Sequence, residues 1–176
     1  MHTATAHIPV IETDRLTLRA PEMADWPGYC ALLASPRSIY IGGPYDTADA
    51  WGWFASDLAH WTLFGHGTLW IEDRARGKTV GQTYILNPPH WPQEELGFML
   101  LEGHEGNGYA TEAAVALRRW YYASHPTPVQ LVSYVAPENS GSVAIMARLE
   151  ATRTEGRPSP LDGYDVFVHP APDRLQ

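Results

Sequence analysis

The chain has 176 residues, of which 44% are hydrophobic and 18% are charged, and its formal net charge is −8 at pH 7. This size and composition fit one globular domain and exclude an intrinsically disordered chain. Because no cluster of Lys and Arg offsets the acidic charge, we expect no nucleic-acid partner, and a cationic acceptor would be attracted instead.

Signals for export, membrane insertion or disulfide formation are missing from the sequence. Cys30 is the single cysteine, which excludes an intrachain disulfide. The segment 1–11 lacks the apolar core of a signal peptide, and no apolar run approaches the ~20 residues of a membrane span. We therefore predict a cytoplasmic protein without membrane contact, formed by one domain over residues 1–176, with residues 1–10 as a loose lead-in.

Seven segments have the alternation or the apolar content of β-strands. They are residues 11–19, 68–72, 79–86, 94–101, 129–136, 151–155 and 164–169. A stiff loop with three prolines, residues 87–92, precedes the fourth of these strands.

Four segments have the spacing of amphipathic helices. Their apolar stripes are Met23, Trp26, Cys30 and Leu33; Trp51, Phe54, Leu58 and Trp61; Ala110, Ala113, Ala114, Leu117, Trp120 and Tyr121; and Val143, Met146 and Leu149. Asp46 or Thr47 can cap the second helix, and Asn139 can cap the fourth. Strands and helices are interleaved along the chain, so we predict an α+β (mixed α/β) fold on one sheet.

The segment with the clearest chemical meaning is residues 94–113, EELGFMLLEGHEGNGYATEA. A predicted strand leads into a loop with Gly106 and Gly108, and a helix follows at once. The free backbone N–H groups of a helix N-terminus, approached closely through glycines, form a site for a phosphate or pyrophosphate. The loop lacks the lysine of a P-loop, and Thr111 stands where a dinucleotide fingerprint needs a small residue. A tight turn without a ligand remains the other interpretation.

Four motifs in one order carry a family resemblance. They are Ile11 to Arg19 (IETDRLTLR), Glu95 to Phe98 (ELGF), Gly106 to Ala113 (GNGYATEA) and Asn139 to Ser142 (NSGS). Together they resemble the GNAT superfamily of acetyltransferases, and within it the branch of ribosomal-protein N-terminal acetyltransferases. The resemblance implies a single GNAT-like acyl-CoA N-acyltransferase domain. Its mixed, mostly antiparallel, twisted sheet would have about seven strands flanked by four helices, and it would splay between the fourth and fifth strands.

The same resemblance implies acetyl-CoA as cosubstrate and assigns residues to it. The backbone amides expected to hold the CoA pyrophosphate belong to Gly106, Asn107, Gly108, Tyr109, Ala110 and Thr111. Backbone groups of Met99, Leu100 and Leu101 would pair with pantetheine as an added strand pairs with a sheet edge. Asn139 and Ser142 would line the far side of the cleft, near the sulfur.

Two positions depart from the family pattern. Glu105 stands where the family usually has Arg or Gln, so we expect its carboxylate to point outward or the affinity for CoA to be lower. Met146 stands where the family often has a tyrosine that acts as general acid, so that role is vacant.

Glu95 is the best candidate for the base that removes a proton from the acceptor amine, directly or through a water. Strand alternation directs Glu94 to the opposite face of the sheet. A plain surface carboxylate is the other interpretation of Glu95. Ser142 is the candidate for steadying or protonating the leaving thiolate, although it could equally be an ordinary hydroxyl near the Asn139 cap. Tyr134 is a weaker alternative for this role.

The acceptor pocket is expected between the first two helices and the loop 88–93. Aromatic candidates to line it are Trp26, Tyr29, Tyr40, Tyr45, Trp51, Trp53 and Trp91, of which two or three would touch substrate. His60, His66, His90 and His104 lack the spacing of metal ligands, so we predict no metal. Cys30 lies on a helical stripe and is predicted to be a core residue and not a nucleophile.

The sequence thus predicts an acetyl-CoA-dependent N-acetyltransferase that acts on a primary amine, either a peptide N-terminus or a small molecule. A CoA-binding module of the same fold without catalysis is the first alternative, favoured by Glu105 and Met146, and a purely structural domain is the second. Homodimerisation is left open.

Overall fold

The computed structural model describes residues 7–125 and 127–170 of the chain. Within them, one sheet carries helices on both faces. The strands are β1 (Ile11–Glu12), β2 (Leu16–Arg19), β3 (Thr68–Asp73), β4 (Lys78–Leu86), β5 (Glu95–Leu100), β6 (Val132–Val135), β7 (Thr152–Thr154) and β8 (Asp165–Val168). The helices are α1 (Trp26–Ala34), α2 (Thr47–Phe64), α3 (Tyr109–Ser124) and α4 (Ser140–Arg148), with a 3₁₀ helix (Pro36–Ile41) between α1 and α2.

The eight strands lie in the order β1-β2-β3-β4-β5-β6-β8-β7. Neighbouring strands are antiparallel except for β5 and β6, which are parallel and share a single residue pair, Glu95 with Val132. This mixed, mostly antiparallel sheet confirms the predicted fold class.

The strand count is eight because the first predicted strand, residues 11–19, is two short strands. The Thr13 N–H donates to the Leu16 carbonyl at 2.9 Å, and the Leu16 N–H donates to the Thr13 hydroxyl at 2.9 Å. These bonds close a tight turn, so the chain folds back and β1 pairs with β2. The alternation of Leu16 and Leu18 predicted the second half correctly, since both are fully buried.

Alternation of side chains along β4 and β5 divides the helices between two faces. Leu96 on one face belongs to the main core, which it shares with Leu117 of α3 and Met146 of α4. Met99 on the other face packs against the smaller core formed by α1 and α2, which includes Tyr29 and Trp70.

The predicted stripe of α2 is partly wrong. Phe54 and Trp61 are buried as expected, but Trp51 and Leu58 are 47% and 42% exposed. The buried positions between them are taken by Ala50 and Asp57. A stripe through residues 50, 54, 57 and 61 has the same helical spacing, so periodicity alone could not reject it. It turns a carboxylate toward the interior.

Two further differences concern the start of α1 and the packing of the N-terminal segment. The helix α1 starts at Trp26, and Met23, predicted to lie on its stripe, is 62% exposed. Of the predicted lead-in, Ile8 packs against the main core, while residues 1–6 lie outside the described residues. Among the helices described, none has the length and apolarity needed to cross a membrane.

The sheet splays where β5 leaves β6. The Val132 N–H donates to the Glu94 carbonyl at 3.0 Å, but the next carbonyl, that of Leu96, accepts from the Ser133 hydroxyl instead of a backbone N–H. A side chain therefore stands where the ladder would continue. Beyond it the two strands are no longer paired, as predicted for the fourth and fifth strands.

Buried polar groups hold Ser133 in this position. Arg118 donates to the His169 Nδ1 at 3.2 Å, and the His169 Nε2 lies 2.9 Å from the Ser133 hydroxyl oxygen. Burial and then the charge of Arg118 lower the pKa of His169 to about 3, so its ring is neutral. With Nδ1 accepting, Nε2 carries the proton and donates to Ser133, whose hydroxyl donates onward to Leu96.

Ser133→Ala should destabilise the fold, because it leaves the His169 Nε2–H and the Leu96 carbonyl buried without partners. A buried unsatisfied polar group costs about 1–3 kcal/mol, so we expect a loss of that size in the free energy of unfolding by urea. Ser124→Ala is the matched control, since Ser124 is exposed on the last turn of α3. A loss at Ser133 no larger than at Ser124 would mean that this network does not stabilise the parted strands.

Candidate active site

A cavity of about 310 Å³ opens where β5 and β6 separate. It extends from the α1–α2 face of the sheet to the start of α4. Predicted site residues that line it are Glu95, Met99, Leu100, Ala110, Asn139 and Ser142. The splay thus brings the candidate base, part of the expected donor site and the far side of the cleft to one cavity.

The glycine loop ends at the first turn of α3. Gly106 and Gly108 both have φ of +78°, a left-handed conformation that glycine adopts without strain. Gly108 is the N-cap of α3, and the first intrahelical bond runs from the Glu112 N–H to the Gly108 carbonyl at 3.1 Å. The N–H groups of residues 109–111 are therefore free of intrahelical partners. Because Ala110 lines the cavity, this turn faces the cleft.

The turn between β1 and β2 clamps this loop. Arg15 donates to the Glu112 carboxylate at 2.7 Å and to the Asn107 carbonyl at 3.0 Å. The Thr13 hydroxyl also donates to Glu112. The Asn107 side chain donates back to the carbonyl of Glu105 at 3.1 Å. The predicted anion site is thus held in shape before any ligand arrives, and the Arg15–Glu112 pair was not predicted from the sequence.

Tyr109, the first residue of α3, is anchored by its side chain. Its hydroxyl donates to Asp73 at 2.6 Å and accepts from Arg76 at 2.6 Å. The ring is buried. The side chain of Tyr109 is thus engaged, and its backbone N–H is left to contact a ligand in the cleft, which is the group that the family resemblance assigned to it.

Backbone direction along β5 decides which residues can pair with a ligand in the cleft. In a strand, the N–H and carbonyl groups of successive residues point to opposite neighbours. The Leu96 carbonyl faces β6, whereas the Leu101 N–H donates to the Val80 carbonyl of the β4 side at 2.9 Å. The backbone groups that face the cleft therefore belong to Phe98 and Leu100.

This alternation refines the predicted pantetheine contacts. Met99 lies two residues before Leu101, so its backbone groups point toward β4, away from the cleft, as do those of Leu101. Pairing of pantetheine stays a prediction, with Leu100 as the one residue of the predicted three whose backbone has the right direction.

Glu105 is neither free nor directed away from the cleft. Its carboxylate lines the cavity and forms an ion pair with Arg37, which also donates to the Leu100 carbonyl at 3.0 Å. Arg37 comes from the unpredicted 3₁₀ helix. The ion pair bridges the cleft mouth, and it offsets the charge that made Glu105 unfavourable near a pyrophosphate.

Asn139 and Ser142 lie at the start of α4. The Asn139 side chain accepts from the Ser142 N–H at 3.1 Å, which makes it the predicted N-cap. Within the described residues, the Ser142 hydroxyl itself has no hydrogen-bond partner, and it lines the cavity. It is therefore available to a ligand.

Glu95 is buried on the α1–α2 face, with 6% of its surface exposed. Burial raises its pKa to about 8, an effect partly offset by a hydrogen bond from the Tyr134 backbone. Its Oε2 atom has no hydrogen-bond partner among the described residues. Glu94 points to the opposite face, where it accepts from the Tyr121 hydroxyl. The surface-carboxylate interpretation of Glu95 is thereby excluded.

Two tyrosines stand beside Glu95. Tyr134 of β6 keeps its hydroxyl unpartnered in the cavity, and burial raises its pKa to about 12. The Tyr84 ring lies directly over Gly97, where an added Cβ would come within 2.2 Å of ring carbons. Gly97 of the ELGF motif therefore makes room for Tyr84 beside the base.

The predicted aromatic set divides into two groups. Those that line the cavity are Tyr29, Tyr40, Trp53 and Trp91. The others pack among themselves or on the helices: Trp26 contacts Trp51 edge to face, and Tyr45 packs against Trp53.

Sequence reasoning missed Asp57 and Gln82, which line the same cavity as Glu95. Asp57 lies between apolar residues of α2, and Gln82 lies within β4. Both segments were predicted from their apolar residues, so neither polar side chain was considered for the site. No group of three or more His, Cys, Asp or Glu suited to a metal ion occurs in the part of the chain that the structure describes.

Comparison with known proteins agrees with this geometry. The acetyltransferase (GNAT) domain family matches residues 15–152. A crystal structure of an acetyltransferase from Agrobacterium tumefaciens str. C58 is 44% identical, with a TM-score of 0.89 over 97% of this chain and 99% of that chain. The uncharacterised protein YkkB of Bacillus subtilis is 28% identical over 147 residues, which are 78% of this chain and 81% of YkkB.

The predicted branch is represented by RimL, a ribosomal L7/L12 alpha-N-protein acetyltransferase solved in complex with coenzyme A. It is 16% identical, with a TM-score of 0.69 over 92% of this chain and 96% of that chain, and the likeness is one of fold. The chain belongs to the GNAT acetyltransferase family, and it is an acetyl-CoA-dependent acetyltransferase.

Glu105→Gln should tighten acetyl-CoA binding, because it removes a carboxylate near the expected pyrophosphate and releases Arg37 to face it. The pair is partly exposed, so we expect a modest decrease in Kd of about two- to fivefold by calorimetry, shrinking as salt is added.

Glu102→Gln is the matched control, since Glu102 is exposed in the same loop and does not line the cavity. Weaker binding by the Glu105 variant would mean that Glu105 organises the site instead of opposing the ligand.

Proposed function

We propose that the protein transfers an acetyl group from acetyl-CoA to a primary amine by direct attack, with Glu95 as the base. The observation that carries this proposal is the position of Glu95. It is a buried carboxylate with one unpartnered oxygen, and it lies in the cavity beside the point where β5 and β6 part.

The donor would lie along the part of β5 that is not paired with β6, at Phe98 and Leu100. The free N–H groups of residues 109–111 supply the anion site for its pyrophosphate, strengthened by the positive end of the α3 dipole. The backbone groups of Phe98 and Leu100 would pair with pantetheine. Arg37 now bonds to the Leu100 carbonyl, so pairing there requires the Arg37 side chain to move away, and the nearby pyrophosphate offers it a new partner.

The acceptor would approach from the α1–α2 side. Glu95 takes a proton from the ammonium group, and the amine nitrogen then forms a bond to the thioester carbonyl carbon. The carbon–sulfur bond breaks, the nitrogen releases its second proton as the CoA thiolate takes one up, and the acetamide departs, which leaves the first proton on Glu95 to pass to solvent. The Ser142 hydroxyl would donate to the sulfur, and Tyr134 is the alternative donor because its raised pKa keeps its hydroxyl protonated.

The acceptor is either a small amine or a protein N-terminus, and RimL acts on the latter by its name. The likeness to RimL is one of fold, so it does not select between them. A cytoplasmic location and homodimerisation also stay predictions.

Amine-dependent release of CoA from acetyl-CoA tests this function. The wild-type kcat should rise with pH and level off above a midpoint near 8, since Glu95 must be ionised to accept a proton and its pKa is about 8. Glu95→Gln should lower kcat by roughly 10²–10⁴-fold, remove this rise, and leave the Kd for acetyl-CoA nearly unchanged.

Glu94→Gln is the matched control, because the neighbouring glutamate lies on the other face, away from the cavity, and should keep most of the kcat and its pH profile. Acetyl-CoA binding without CoA release for any amine would favour a binding module instead. An unchanged kcat in Glu95→Gln would exclude Glu95 as the base.

A further inference from the structure

The α1–α2 side of the cavity holds three buried side-chain oxygens without hydrogen-bond partners among the described residues. They are the Asp57 Oδ2, the Gln82 Oε1 and the Glu95 Oε2 atoms. Each residue lines the cavity and is at least nine-tenths buried, with exposures of 2%, 2% and 6%. Buried polar atoms are nearly always satisfied, so three such acceptors on one cavity suit a ligand that carries hydrogen-bond donors.

Asp57 is the most informative of the three, because the proposed reaction gives it no role. Its Oδ1 accepts from the Thr68 hydroxyl at 2.8 Å, which fixes the carboxyl group, while Oδ2 has no partner among the described residues and the residue lines the cavity. Burial raises its pKa to about 7. A buried carboxylate is unfavourable unless a cation or several donors meet it, and nothing on the protein side does so at Oδ2.

The charges around this side of the cavity have one sign. Among the described residues that line the cavity, Arg37 is the only cationic side chain, and it is engaged with Glu105 at the exposed mouth. The inner charged groups are the carboxylates of Asp57 and Glu95. Tyr29, Trp53 and Tyr84 line the same region, and aromatic faces also attract cations. The pocket is therefore suited to a positively charged, donor-rich molecule.

Asp57 and Glu95 are too far apart to share one ammonium group. Asp57 is bonded to Thr68 of β3, while Glu95 lies on β5, and Tyr84 of β4 stands between them. Two strand spacings separate β3 from β5, about 10 Å. One cation at Glu95 would leave the Asp57 Oδ2 unsatisfied, so a second donor group is required.

We propose that the acceptor is a small amine with a second cationic group, of the α,ω-diamine class, and that Asp57 binds the distal ammonium while Glu95 serves the reacting one. This inference rests on the proposed acetyl transfer and names its acceptor class. The distal ammonium keeps its proton throughout, and bonds form and break only at the reacting nitrogen and the thioester.

Matched acceptors test the inference. At saturating acetyl-CoA, kcat/KM is measured for diaminobutane and diaminohexane and for butylamine and hexylamine, which lack the distal cation. The wild type should favour the diamines by about tenfold or more, the value of one charge-assisted hydrogen bond. Asp57→Asn, which keeps the shape of the side chain, should bring this ratio close to one.

Asp49→Asn is the control for loss of a charge from the same helix, because Asp49 is exposed and outside the cavity, and its diamine preference should equal that of the wild type. Melting temperatures verify that both variants are folded. If Asp57→Asn is unfolded, the ratio of kcat/KM for diamines to that for monoamines in the wild type decides the test. Turnover of amines without a diamine preference, or a preference that persists in Asp57→Asn, would overturn this inference and leave the acetyl transfer standing. No turnover of any amine would overturn both.

Discussion

The cleft depends on the separation of β5 from β6, and this separation begins at the hydrogen bond from the Ser133 hydroxyl to the Leu96 carbonyl. A parallel ladder between β5 and β6 would bury every backbone group along their shared edge. Here the ladder has one residue pair, and a side chain then takes the next carbonyl. The neutral His169 and the buried Arg118 hold that side chain from behind. The cleft is thus a consequence of polar satisfaction, because the strands part without leaving the last carbonyl unpaired.

Everything placed around the cleft follows from that separation. Beyond Leu96, the backbone groups of Phe98 and Leu100 face the cleft and pair with no strand. The first turn of α3 adds free N–H groups beside them. On the opposite side, α1 and α2 cover a pocket whose inner charges are carboxylates. One end is therefore suited to an anionic group and the other to a cationic group, and in the proposed function the donor and the acceptor would meet beside Glu95. This separation of charge agrees with an acetyltransferase that brings acetyl-CoA and an amine together from different sides.

Much of this arrangement could be predicted from local patterns. The alanine stripe of α3, the glycines before it and the alternation that sends Glu95 and Glu94 to opposite faces depend only on helix and strand periodicity. The splay was predicted through the family resemblance, since no pattern within β5 or β6 shows it. Its physical cause, Ser133 bonded to His169 across 36 residues of sequence, depends on tertiary contacts.

The features that sequence reasoning missed have a shared cause. Asp57 lies on α2, whose buried face was predicted from the spacing of apolar residues alone. Such a pattern does not consider a carboxylate, although a carboxylate can be buried beside a cavity. Arg37 belongs to a 3₁₀ helix, whose short length gives no periodic signal. Its pairing with Glu105 joins segments 68 residues apart. A pattern in a short stretch of sequence cannot reveal an ion pair between distant segments. Here such a pair, Arg37 with Glu105, neutralises charge at the cleft mouth.

Hydrogen exchange of individual backbone amides, measured with and without CoA, tests the central claim most directly. Binding along the unpaired edge should slow exchange at Phe98 and Leu100 and at residues 109–111, while the Leu101 amide, already bonded to Val80, should change little. Saturating CoA that leaves those amides unprotected, or that protects a different surface, would contradict a donor site built from the parted strand and the α3 N-terminus.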